Sequence, residues 1–118
     1  MGFGGFLGRI EADVTTASSL AHDTVSAVAD TTVTTIVTYV ASGTKYLTKI
    51  SCSGTDYAKF FLVVNTTTIE IRRSGPDRNA IFDFDGALKL SDGDIVDVKV
   101  EHFVTGQTAD FEATIYGV

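Results

Sequence analysis

The sequence predicts an all-β fold: an antiparallel β-sandwich of jelly-roll type, preceded by an extended N-terminal arm. Three observations carry the prediction. In the last third, Phe82 and Phe84, Leu88 and Leu90, the trio Val96, Val98 and Val100, and then Phe111, Ala113 and Ile115 recur at every second position, the period of a half-buried strand. Turn-forming clusters of Gly, Ser, Asn and Asp punctuate the chain about every ten residues, the spacing of short strands in a sandwich or jelly roll. Threonine and β-branched residues crowd the first half, where a branched Cβ fits a pleated surface better than a helix.

The chain divides into an arm, residues 1–21, and a sandwich domain, residues 22–118. In the arm a glycine-rich apolar patch surrounds Phe3, Phe6, Leu7 and Ile10, and acids follow it. A signal peptide places its positive charge first and about 7 to 15 apolar residues after it, so the patch is read as neither leader nor anchor. Its apolar residues have no evident place inside a sandwich, which makes Phe3, Phe6, Leu7 and Ile10 the candidate partner-binding residues. Val14 to Ala21 is the one stretch with any helical character; its Thr and Ser residues dilute the apolar ones, and it is assigned to the arm.

About nine short strands are expected beyond the arm. Thr24–Val28 is brief. Thr31–Val40 is long, with Val33, Thr35, Val37 and Tyr39 on one face and Ile36 and Val40 on the other. Ala41-Ser42-Gly43 turns the chain into Lys45–Ser51, where Tyr46, Thr48, Ile50 and Cys52 share a face. Tyr57–Val64 is apolar on both faces, as a central covered strand would be. Thr67–Arg73 sets Ile69 and Ile71 against Glu70 and Arg72, with one wet face. Ser74-Gly75-Pro76-Asp77, holding the single proline, is the strongest loop signal. Asn79–Asp85, Ala87–Leu90, Ile95–Val104 and Ala109–Val118 complete the set, with a tight turn at Ser91-Asp92-Gly93-Asp94 and a loop at Thr105-Gly106-Gln107.

Bulk properties exclude several classes of function. The 118 residues form one domain, 44% hydrophobic and 20% charged, which argues against disorder over most of the length. Nine basic residues stand against fifteen acidic ones, a formal charge of -6. Nucleic-acid binding needs clustered Lys and Arg to displace counterions from phosphate, so no nucleic-acid partner is expected. A membrane-spanning helix needs about 20 apolar residues, and none is expected. A single cysteine, Cys52, forms no internal disulfide and falls in an alternating run that reads as core.

No motif carries catalysis, a cofactor or a metal. Asp83, Asp85, Asp92 and Asp94 gather near two turns, but the calcium loop with its glycine and terminal glutamate is missing, and solvated turn formers account for them. His22 and His102 have no sequence link; His102 continues the face of Val96, Val98 and Val100, which places it near a strand end, partly buried or at an interface. A serine nucleophile on a Gly-x-Ser-x-Gly turn is lacking. Asn65-Thr66-Thr67 fits a glycosylation sequon and reads as a turn between strands. Lys59, Arg72, Arg73 and Arg78 are read as a solvated face, with an acidic partner as the alternative. Tyr39 and Tyr46 fall on apolar faces and are assigned to the core.

The order of features resembles a known group. A threonine-rich strand Thr31–Tyr39, then Gly43, Tyr46 and Ile50, Ser53-Gly54 before Tyr57–Val64, Arg72-Arg73, Leu88-x-Leu90-x-x-Gly93-Asp94-x-Val96-x-Val98-x-Val100 and Phe111-x-Ala113-x-Ile115-x-Gly117 together resemble the small β-sandwich structural proteins of tailed bacteriophages. The likeness spans about Thr24 to Val118 and is looser at Ala41-Ser42-Gly43, where the commoner pattern has Pro-Ala-Gly. It implies a virion component without enzymatic residues or cofactors. The form it implies first is a head decoration (cement) protein, a homotrimer held on a major capsid protein or a tail protein. A tail or fibre adaptor, or a receptor- or carbohydrate-binding module, is the alternative.

Overall fold

In the computed structural model, which describes residues 17–118, the chain forms eight β-strands: β1 (Ser18–Ala29), β2 (Val33–Val40), β3 (Lys45–Gly54), β4 (Ala58–Val64), β5 (Thr67–Arg73), β6 (Asn79–Leu90), β7 (Ile95–His102) and β8 (Thr108–Gly117). They build two four-stranded sheets, ordered β1-β8-β3-β6 and β2-β7-β4-β5, and every strand pair is antiparallel. Each connection crosses from one sheet to the other except the β4–β5 hairpin. That strand order is the jelly roll, in which two Greek keys wrap a common core.

The core lies between the sheets where the sequence alternation places it. Val96, Val98 and Val100 of β7 and Ala113 and Ile115 of β8 are fully buried, and Phe111 almost so. Facing them are Leu47, Ile50 and Cys52 of β3, Phe60 and Leu62 of β4 and Phe82 and Leu90 of β6. Phe60 and Phe111 meet edge-to-face with centroids 5.9 Å apart, an arrangement that aligns one ring's positive rim with the other's negative face. Burial of each such large apolar side chain stabilises the fold by about 1.5–3 kcal/mol.

Where strands depart from the expected pattern, bulges are the reason. Thr35 pairs with Lys99 but Val37 with Val98, so Ile36 is an extra residue. The bulge lets Ile36 and Val37 both point inward and leaves Val33 and Val40 more than half exposed, contrary to the expected faces. In β3 the register slips at Thr48: Leu47 faces the core, Tyr46 and Thr48 do not, and the inward phase resumes at Ile50 and Cys52. Tyr46 is therefore a half-buried outer residue, and Tyr39 packs only partly against the core.

Two element boundaries also move. Asn79–Asp85 and Ala87–Leu90 are one strand, β6, in which Phe84 to Ala87 bulge out opposite Thr48 and Gly86 takes a left-handed φ of 93°. The first strand begins at Ser18, which pairs with Gly117, and not at Thr24. β4 is central within its sheet, yet among the described residues its outer face has no third layer: Phe61 is only half-buried there, under the Lys59 ammonium at 5.6 Å.

Candidate partner-binding surface

The arm residues Phe3, Phe6, Leu7 and Ile10 lie outside the described residues, so the surfaces considered below belong to the sandwich. At one end of it the chain buries its sole internal polar side chain among the described residues, His102. Its Nδ1 lies 3.1 Å from the Val28 carbonyl and its Nε2 3.1 Å from Asp56 Oδ2. Both neighbours are acceptors, and each ring nitrogen faces one of them. The ring also meets Phe111 edge-on at 5.8 Å. Asp56 accepts the Tyr57 backbone N–H at 2.8 Å; that bond first, and His102 second, hold its carboxyl below the ordinary range. His102 is thus deeper than expected, and the pair joins the ends of β1, β3 and β7. It acts as a strut, with the His102 ring fully buried and the Asp56 carboxylate partly open to water.

Beside this end, a groove of about 400 Å³ opens across β1, β8 and β3. Thr24, Ser53, Asp110 and Glu112 line its rim and Phe111 its floor. The rim groups are already engaged: Ser53 donates to Glu112 at 3.0 Å, and Asp110 accepts the Ala27 N–H at 2.9 Å. Ala27 belongs to a bulge between Val25 and Val28 and holds a left-handed φ of 55°. Sugar sites on such sheets present ring faces, and neither tyrosine nor arginine lines this groove.

The acids expected at the turns fasten loops. Asp92 accepts the Gly43 N–H at 2.7 Å, which locks the β6–β7 turn onto the β2–β3 turn. Asp94 accepts the Ser91 N–H at 2.8 Å and the Asn65 amide at 3.0 Å, and its carboxyl is held low by the Asn65 bond first and the Ser91 bond second. Asn65 returns its carbonyl to the Ile95 N–H at 2.9 Å. Asn65 and Thr66 are accordingly the two-residue β4–β5 hairpin turn, and Thr67 opens β5 opposite Val64. No group of three or more His, Cys, Asp or Glu residues is placed to hold a metal among the described residues.

Of the basic residues Lys59, Arg72, Arg73 and Arg78, Lys59 and Arg73 stand opposite each other across β4 and β5, and three of the four have a partner of their own. Lys59 pairs with Glu101 at 3.6 Å, Arg72 with Glu70 at 2.5 Å, and Arg78 stacks on Tyr57 at 5.2 Å.

β5 is one of the four sheet edges, with β1, β6 and β2. Only β4 pairs with it, so its other side presents unpaired N–H and C=O groups among the described residues. Ile69 and Ile71, expected on a covered face, are 48% and 49% exposed. Ile71 stands opposite Phe61 on the outer face, whereas Glu70 and Arg72 point the other way, opposite Leu62 and Phe60. The inversion follows from position: at a sheet's margin the inward side chains reach the rim of the core, where charge is tolerated. The exposure of Ile69 and Ile71 was not legible in the sequence because alternation does not distinguish edge from centre. The charged positions within so short a strand were the available signal.

No family model matches this sequence, and no curated protein matches it. Among solved structures, the fold is similar to a chain of the acid-stable capsid of Helicobacter pylori bacteriophage KHP30, with a TM-score of 0.53 at 9% identity. That alignment covers 86% of this chain and 93% of the other, so the two are matched nearly end to end. A second similarity is to the insecticidal delta-endotoxin Cry8Ea1 of Bacillus thuringiensis, with a TM-score of 0.42 at 15% identity, over 70% of this chain and 19% of the toxin. The class defined by fold is therefore an eight-stranded antiparallel jelly roll.

Proposed function

We propose that this protein is a non-enzymatic virion structural component of a tailed bacteriophage, and that it decorates the capsid surface and stabilises the particle there. The match with a phage capsid chain carries the reading, because it spans 86% of this chain and 93% of that one. The build of the sandwich agrees with it. Its internal polar pair ties strand ends together, its turn acids fasten loops, and its exposed apolar residues lie on outer faces and an open edge. The partners are a major capsid or tail protein and further copies of the chain itself; the resemblance in sequence implies a homotrimer.

The reading is tested by adding the purified full-length protein to particles stripped of it. Rebinding that raises the temperature at which heads release their DNA is the expected result. Particles that neither bind it nor change in stability overturn it.

A further inference from the structure

We propose that the free edge of β5 is a self-association surface on which a second copy of this chain adds antiparallel, its β5 against this one about a two-fold axis beside Ile71. The inference does not depend on where the protein works, and it puts a two-fold dimer in place of the homotrimer that the resemblance implies.

Directly opposed residues in an antiparallel pair share a face, so a two-fold between identical strands must centre on a residue and cannot fall between two. In β5, Thr67-Thr68-Ile69-Glu70-Ile71-Arg72-Arg73, the choices are few. Centring on Glu70 opposes two glutamates, and centring on Arg72 opposes two arginines. Ile69 is the extra residue of a bulge between Glu70 and Thr68, so a centre there has no regular pairing on both sides. Centring on Ile71 alone places each Glu70 opposite the other copy's Arg72, twice by symmetry. It also sets Ile71 against Ile71 within the regular stretch from Glu70 to Arg73.

Three further observations fit this register. Glu70 and Arg72 already form an ion pair within their own strand at 2.5 Å, so pairing joins two such pairs into a ring of alternating charge. Ile71 continues a row that runs through Phe61 to Lys99, so the axis joins two short apolar rows into one. Charged residues on an edge strand discourage promiscuous pairing, and here the same charges favour one register with one partner. The result is a continuous eight-stranded sheet across two copies, β2-β7-β4-β5 followed by its mirror order.

A charge-swap series read by native mass spectrometry and sedimentation equilibrium tests the proposal. Full-length wild type at concentrations on the order of 100 µM, where a micromolar contact is filled, is expected as a dimer. Glu70→Arg or Arg72→Glu alone opposes like charges twice and weakens self-association by about tenfold or more. Circular dichroism shows that each variant stays folded. Mixing the two variants restores a dimer containing one of each, and the double variant E70R/R72E dimerises with itself. A monomeric wild type, a trimer, or an oligomer indifferent to the swap overturns the proposal. The last outcome includes one held by residues 1–16 or by another face.

Discussion

His102 Nε2 stands 3.1 Å from Asp56 Oδ2, in a pocket where the histidine has no exposed surface. Replacing His102 by Phe keeps much of the ring volume but strips the Val28 carbonyl and Asp56 of their donor. A loss of about 1–2 kcal/mol at neutral pH is expected in urea unfolding, chiefly the cost of stranding the buried Val28 carbonyl, since Asp56 keeps access to water.

The same site gives stability a dependence on acid. Asp56 titrates below the ordinary carboxylate range in the folded chain, through the Tyr57 N–H first and His102 second, and Asp94 does so through Asn65 and Ser91. The unfolded chain therefore binds these protons more readily. The contribution is complete above about pH 5 and is lost as pH falls through the ordinary range toward the depressed values. Thermal melts of the double variant Asp56→Asn with Asp94→Asn should show a lower Tm at neutral pH and a shallower acid limb than wild type.

Gly54 is needed for space. A Cβ there would lie 2.2 Å from Cδ1 of Phe111, whose ring is pinned by Phe60 and His102. Gly54→Ala is expected to destabilise by about 1–3 kcal/mol, the cost of overpacking a filled core. Denaturant midpoints measure it, and a neutral effect would mean that Phe111 has room to yield.

Thr66 holds a left-handed φ of 69° in the β4–β5 turn, a conformation that a β-branched residue adopts at a cost. Because the residue is exposed, Thr66→Gly should stabilise by about 0.5–1 kcal/mol, seen as a Tm raised by a few degrees.

Cys52 is buried in β3, and burial pushes its thiol up to about 12. Thiol reagents attack the thiolate, so native protein should label only as fast as it opens. Labelling in seconds without denaturant would show that β3 is accessible.

What sequence reveals here tracks the range of the interactions involved. β7 and β8 obey strict alternation because nothing interrupts their pleat, and Val96 to Val100 and Phe111 to Ile115 turned inward as expected. The turns at Gly93, Asn65 and Gly106 were equally legible, since turn chemistry is local. The bulges at Ile36, Thr48 and Gly86 were not, because a bulge is defined by the partner strand's register. Strand order is likewise non-local, so that β5 is an edge, and Ile69 and Ile71 are exposed, emerged only with the fold. His102 was legible as a strand-end residue on the core face, while its bond to Asp56 required the meeting of three distant segments.

The proposed place of this protein on a capsid is tested most directly by counting it. Quantitative mass spectrometry of purified particles should find the chain in a fixed stoichiometric ratio to the major capsid protein, on full and empty heads alike. Its absence from particles in which that protein is detected, or a count matching only the few copies of a tail component, would contradict the account.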